Sequence, residues 1–131
     1  MKINNTDSIQ ISEAEVPTIK ELAEANKDKL RNADLRSANL ANANLQSADL
    51  RSSNLSASCL IMADLRSVNL FCANLYGADL SGANLTEANL RGADLRNANL
   101  TGANLQGADM YMADKEGTNF QDATMPTPPT K

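Results

Sequence analysis

The chain has 131 residues and a formal net charge of −4, with an isoelectric point near 4.7 and only 3% aromatic residues. This length indicates one domain, and the lack of Trp excludes a conventional core built on large aromatic side chains. No apolar run is long enough to span a membrane, and the start lacks the basic-then-apolar order of a signal peptide. We therefore expect a cytoplasmic protein.

The residue types also argue against catalysis and metal binding. The chain has no His and no CxxC motif, so a zinc site has no support. It has no Gly-rich phosphate loop and no Ser paired with a base and an orienting group. We expect a protein that is not an enzyme and that holds no cofactor and no metal.

Residues 1–29 form a first segment that does not repeat. Residues 2–12 alternate loosely around three isoleucines, which indicates a short extended segment. A helical pattern then begins at Pro17, because Pro suits a first helical position, acidic residues come early and lysines come late. One face of this α-helix would carry Ile19, Leu22 and Ala23.

Residues 30–125 carry a five-residue phrase that occurs nineteen times without insertion or deletion, beginning RNADL, RSANL, ANANL. Leu stands at every fifth position from Leu30 to Leu105; we call this position the centre, i, with Ala usually at i−2 and Asn or Asp at i−1. A helix would rotate successive centres by about 140°, and a flat strand would place them on opposite faces. A chain that turns a corner every five residues keeps i and i−2 inside, with Gly, Ser or Asn mostly at the corner position i+2.

The A-(D/N)-L-X-X phrase resembles the repeat of the pentapeptide-repeat family over residues 31–125. This resemblance implies an all-β solenoid, a right-handed quadrilateral β-helix with four phrases per coil and just under five coils. Each outward column then consists of residues twenty apart. On this arrangement Cys59 and Cys72 lie on opposite faces, and we expect no disulfide between them.

The two ends of such a rod need closing, because an uncovered coil exposes Leu side chains and strand edges. We expect residues 1–29 to form an N-terminal cap with an α-helix; the alternative is a partner-binding helix. At the other end Met110, Phe120 and Met125 would fill the mouth of the last coil, and Lys115 is tolerated at a centre because that coil is open to water. Residues 126–131 are Pro-rich and predict a disordered tail.

Arginines and aromatic residues concentrate at the i+1 positions of two adjacent faces. The first face carries Arg31, Arg51, Phe71, Arg91 and Tyr111, and the second carries Arg36, Ser56, Tyr76, Arg96 and Glu116. We predict that Arg51, Phe71, Arg91 and Tyr111 stack as alternating guanidinium and ring planes. The candidate interaction surface is Arg51, Phe71, Tyr76, Arg91, Arg96 and Tyr111. The alternative is that this stacking only supports the rod. A secondary apolar patch, Ile61 and Met62, lies on the third face.

These patterns favour a non-enzymatic protein–protein interaction or scaffold module. We expect an unidentified protein partner, no nucleic acid and no membrane, and a monomer whose self-association is at most weak. The alternative comes from the resemblance, because the pentapeptide-repeat family includes DNA mimics that protect DNA gyrase. This chain would then regulate or protect a type II topoisomerase such as DNA gyrase.

Charge patterning argues against that alternative. The Asp residues of the i−1 columns are mostly separated by Asn, and Asp94 and Asp114 are the direct acidic neighbours. Four aspartates, at positions 34, 49, 64 and 94, also have an Arg two residues later. A DNA mimic would need charge as continuous as that of a duplex, one per about 1.7 Å.

Overall fold

The structure is a computed structural model that describes residues 16–127. The predicted extended segment 2–12 and residues 128–131 of the predicted tail lie outside the described residues. Parallel bridges join i−1 residues that are twenty apart in sequence, from Asp34–Asn54 to Asn104–Thr124. The chain from position 31 to 125 is therefore a right-handed quadrilateral β-helix of just under five coils, as the family resemblance implies.

The core is a set of Leu and Ala columns. Every centre from Leu40 to Leu105 is at most 1% exposed, and the small residues at i−2 are buried beside them. Two serines replace Ala at i−2 in this interior. Ser53 Oγ donates a hydrogen bond of 2.7 Å to the Leu50 carbonyl, whereas Ser58 Oγ is buried without a partner among the described residues. The core therefore tolerates a small hydroxyl, with one buried polar atom left unpaired.

The corners explain how a five-residue period keeps the centres inside. Every i+2 residue has a positive φ, from Asn32 at 62° to Asp122 at 60°. A backbone hydrogen bond closes each corner, as between the Ala33 amide and the Leu30 carbonyl at 3.0 Å. Positive φ at the third residue and a bond from the fourth amide to the first carbonyl are the pattern of a type II β-turn. Each turn resets the side-chain alternation.

The Asn or Asp at i−1 accepts a local hydrogen bond from the backbone. In every phrase that carries one, its Oδ1 accepts a hydrogen bond from the amide of residue i+1, at 2.9–3.3 Å. This amide begins the corner. Because Asn and Asp present the same oxygen, the two residues are interchangeable in this role.

The N-terminal helix, α1, spans Ile19–Ala25 and is followed by a 3-10 helix at Lys27–Lys29. Thr18 is its N-cap, and a capping box links Thr18 to Glu21: the Glu21 amide donates to Thr18 Oγ1 at 3.1 Å and the Thr18 amide to Glu21 Oε1 at 2.9 Å. The prediction that Pro17 occupies the first helical position is wrong. The hydroxyl of Thr18 satisfies an otherwise free helix amide, so the helix begins after it.

The helical segment contacts the first coil along one part of its edge. Glu24 Oε2 accepts the Asn44 amide at 2.7 Å, and the Lys27 carbonyl accepts the Asp49 amide at 2.7 Å. Ala23 is buried at 2% exposure, but Ile19 and Leu22 remain 47% and 45% exposed. The expected apolar face therefore buries one of its three residues, because polar bonds from Glu24 and Lys27 set the position of the helix.

The last coil is open at its base. Met110 and Phe120 are partly buried against the core, whereas Met125 is 42% exposed and Lys115 is exposed. The exposure of Lys115 agrees with the prediction that an ammonium at a centre reaches water here. Within residues 16–127, no helix is long and apolar enough to cross a membrane.

Candidate functional site

Four arginines are held by the aspartate two residues before them. In each pair the guanidinium donates through Nε and Nη2 to the two carboxylate oxygens at 2.7–2.9 Å. The pairs are Asp34–Arg36, Asp49–Arg51, Asp64–Arg66 and Asp94–Arg96. Two parallel charge-assisted bonds fix the geometry of each guanidinium and occupy both carboxylate oxygens.

These pairs lower the pKa of all four aspartates. Hydrogen bonds from the Arg51 guanidinium hold the pKa of Asp49 at about 2, below its ordinary 3.8. The same kind of bond lowers the pKa of Asp34, Asp64 and Asp94. Arg96 also approaches Asp114, with Nε 3.7 Å from Oδ2. The two adjacent acids of the second face therefore share one cation.

We expect acid to destabilise the rod through these carboxylates. A folded-state pKa below the unfolded value gives stability that is present above the unfolded pKa and is lost as the pH falls through the folded pKa. The melting temperature should therefore fall between about pH 4 and about pH 2, which circular dichroism measures.

The matched variant for this prediction is Asp49→Asn. It removes the titrating group but keeps the Oδ1 acceptor for the Arg51 amide. The melting temperature of this variant should therefore fall less on acidification than that of the parent chain. A parent melting temperature that is constant or rises on acidification would contradict the stabilising role of these aspartate–arginine pairs.

The predicted alternating stack on the first face is largely wrong. Arg91 lies over the Tyr111 ring, with Cζ 5.3 Å from the ring centroid. Arg51 instead turns to Asp49, and no cation–π contact joins an Arg to Phe71 among the described residues. The cause is local: the carboxylate two residues away offers Arg51 two hydrogen bonds, which are stronger than an exposed ring contact.

Tyr76, the aromatic residue of the second face, contacts Arg96 and Asn97. Arg96 Cζ lies 5.2 Å from the Tyr76 ring centroid, and Asn97 Nδ2 donates to the Tyr76 hydroxyl oxygen at 3.1 Å. Arg96 is also bound by Asp94. Tyr76 and Arg96 therefore already have partners within the rod, although both were assigned to the candidate surface.

A groove lies along the first face, and we call it the first-face groove. Its volume is about 250 Å³, and it is lined by Phe71, Cys72, Arg91, Gly92, Tyr111 and Met112. Phe71, Tyr111 and Met112 are 43%, 63% and 76% exposed. At Gly92, with φ of 68°, a Cβ atom would lie 3.1 Å from Cys72 Sγ, so glycine keeps the floor of the groove low. The structure thus brings together three of the six candidate residues and adds Cys72, Gly92 and Met112.

The remaining surface features are separate from this groove. Ile61 and Met62, the secondary patch, are 36% and 60% exposed. A second hollow, of about 520 Å³, lies beside α1 and is lined by Thr18, Ile19, Lys20, Asn39, Ala41 and Asn42. The sequence did not indicate this hollow because it depends on where α1 rests on the first coil. The part of the chain that the structure describes has no cluster of three or more His, Cys, Asp or Glu side chains able to hold a metal, and Cys59 and Cys72 are free thiols.

Comparisons with known proteins agree with this architecture. The family model described as "Pentapeptide repeats (8 copies)" matches residues 29–56, 48–86 and 78–122. The structure is similar to the pentapeptide repeat protein Rfr23 of Cyanothece 51142, with 42% identity and a TM-score of 0.70 over 75% of this chain and 67% of that one. A search of curated proteins gives no significant match.

Two further solved structures are similar. A pentapeptide repeat protein from the Arabidopsis thaliana thylakoid lumen has 35% identity and a TM-score of 0.70, covering 72% of this chain and 66% of that one. Another, from Nostoc Pcc 7120, has 36% identity and a TM-score of 0.62, covering 86% of this chain and 88% of that one.

Proposed function

This chain belongs to the pentapeptide-repeat family, and from that membership we propose that it is a non-enzymatic protein–protein interaction module that binds through the first-face groove. The observation that supports this proposal is the groove itself, where Phe71, Tyr111 and Met112 expose apolar surface beside Arg91. Aromatic residues, Met and Arg are the side chains enriched in protein interfaces. Apolar groups gathered in one groove of a polar rod favour a binding site.

The groove also differs from the rest of the candidate surface in what its side chains already contact. Tyr76 and Arg96 bind each other and nearby polar groups, and Arg51 binds Asp49. Tyr76 is as exposed as Phe71, at 43%, but its ring and its hydroxyl both have partners, whereas Phe71 has no cation–π partner among the described residues and Tyr111 is 63% exposed. We therefore narrow the proposed binding surface to the groove residues, and we assign Arg51, Tyr76 and Arg96 to support of the rod.

The alternative function, DNA mimicry towards a type II topoisomerase, requires a row of free carboxylates. Four aspartates of the rod are instead bound to arginines. A supercoiling assay with DNA gyrase and increasing amounts of the protein tests this alternative, and unchanged gyrase activity supports the interaction module. The cytoplasmic location stays a prediction that fractionation of the producing cells checks.

The test of the proposed surface is the double substitution Phe71→Ser with Tyr111→Ser. We expect it to abolish partner capture from an extract of the producing cells, because the two rings form the apolar walls of the groove. Stability should change by about 1 kcal/mol or less, since neither ring belongs to the buried core. Affinity capture and thermal melting measure the two quantities.

The matched control is Ile61→Ser with Met62→Ser, which removes a similar amount of exposed apolar surface from the third face. It should leave capture intact. Equal loss in both double variants would assign binding to general surface hydrophobicity, and full capture by the Phe71 and Tyr111 variant would remove the groove from consideration.

A further inference from the structure

Arg91 differs from most arginines of the rod because no carboxylate lies two residues before it. The residue two positions before it is Asn89, which accepts only the Arg91 backbone amide, at 3.0 Å. No hydrogen bond among the described residues uses the Arg91 guanidinium. Its nearest acid is Asp109, with Oδ2 3.9 Å from Nη1, which is beyond hydrogen-bond distance. Arg91 therefore forms a long ion pair with Asp109, but within residues 16–127 none of its five guanidinium N–H donors makes a hydrogen bond to the protein.

The groove holds this guanidinium between apolar groups. Arg91 lies over Tyr111 and shares the groove with Phe71, Cys72 and Met112. A guanidinium that stacks on a ring keeps its donors along its edge, where they can meet a planar carboxylate through two bonds. Arg31 also lacks a carboxylate two residues before it, but no ring stacks on it among the described residues. Arg91 therefore combines free donors with an apolar setting.

We propose that the first-face groove binds a short protein segment in which an Asp or Glu lies between large apolar side chains. Arg91 takes the carboxylate, and Phe71, Tyr111 and Met112 take the apolar side chains. This inference rests on the proposed function and specifies its partner. Arg91 favours a carboxylate because its guanidinium donors make no hydrogen bond among the described residues. A carboxylate is the acceptor that matches a guanidinium in charge and shape.

Neighbouring charges limit the acidity of this partner. Asp109 lies beside Arg91, and the chain carries a net charge of −4. A run of acidic residues would meet repulsion from these groups, whereas one carboxylate gains the Arg91 contact and little repulsion. The groove is therefore selective for a single acid with apolar neighbours.

The dimensions fit an extended segment. Phe71 and Tyr111 are two coils apart, which corresponds to about 10 Å at a strand spacing of about 4.8 Å. In an extended segment, residues i, i+2 and i+4 point to the same side, with about 6.6 Å between successive members. A five-residue segment with apolar side chains at both ends and an acid at its centre can thus direct its carboxylate towards Arg91 and its apolar side chains towards the rings.

The test uses two synthetic pentapeptides with blocked ends, Leu-Gly-Glu-Gly-Leu and Leu-Gly-Gln-Gly-Leu, titrated into the full chain and followed by NMR. We expect the Glu peptide to shift the Arg91 Nε–Hε signal and the ring signals of Phe71 and Tyr111. We expect the Gln peptide to bind more weakly by about tenfold or more, because it lacks the charge that strengthens the Arg91 hydrogen bonds. Equal affinity of the two peptides, or shifts confined to other faces, would overturn the proposal.

Two variants separate this inference from the proposed function. Arg91→Gln should remove the preference for Glu, whereas Arg66→Gln, which changes a guanidinium already bound to Asp64, should keep it. Capture of the cellular partner gives the second readout. If Arg91→Gln captures like the parent while Phe71→Ser with Tyr111→Ser does not, the binding surface stands and the carboxylate specificity fails. If the Phe71 and Tyr111 variant captures fully, the proposed function itself fails.

Discussion

Replacing Leu65 with Ala lowers the free energy of unfolding by about 2–5 kcal/mol, because the substitution leaves a cavity in the middle of the Leu column. Leu65 is 1% exposed, and its neighbours twenty residues away, Leu45 and Leu85, are fully buried. Backbone bonds of 2.8 Å, from Leu65 to Asn84 and from Leu45 to Asp64, hold the coils at fixed spacing. The column therefore has little freedom to close the gap.

Leu65→Lys has a larger effect and should unfold the rod, since a buried unpaired ammonium is strongly unfavourable. The matched control is Lys115→Ala, at the same phrase position in the open last coil, which should change stability by about 0.5 kcal/mol or less. Denaturant unfolding measures all three variants. Parent-like stability of both Leu65 variants would mean that the centres do not point inward.

We expect removal of residues 1–29 to make the rod associate or precipitate. The truncation deletes the Glu24 carboxylate and the Lys27 carbonyl, which accept the amides of Asn44 and Asp49. It also uncovers the upper edge of the first coil, and an uncovered β edge with apolar side chains pairs readily with other chains. Light scattering measures the resulting particle size.

A milder variant separates the loss of a hydrogen bond from the exposure of the first coil's edge. Glu24→Ala removes one acceptor but keeps α1, and it should stay monomeric with a small decrease in melting temperature. A truncated chain that remains monomeric and melts like the parent would show that the segment is not a cap and would favour its reading as a partner-binding helix.

The period of five excluded a helix and a flat strand and placed the centres, Leu65 among them, inside a chain that turns every five residues. The four-phrase coil, and with it the column of Phe71, Arg91 and Tyr111, followed from the resemblance to the pentapeptide-repeat family. Helix details were less predictable, since the start of α1 depends on a choice between Pro17 and the capping hydroxyl of Thr18.

The binding groove was partly visible in the sequence. The Arg–aromatic stack was overestimated because a carboxylate two residues before Arg51 competes with the rings. The signal that singles out Arg91 is the Asn at position 89, where the four paired arginines have Asp. Gly92 and Met112 are corner residues at i+2, and their place in the groove follows from the stacking of the coils.

The measurement that tests the binding groove most directly is site-specific photocrosslinking in the producing cells. A benzophenone amino acid replaces Met112, in the groove, or Met62, on the opposite face. The two positions are matched, since both are exposed corner residues, with φ of 64° and 59°. The account predicts a discrete crosslinked product from position 112 and none from position 62; the reverse pattern, or no product from position 112, would contradict it.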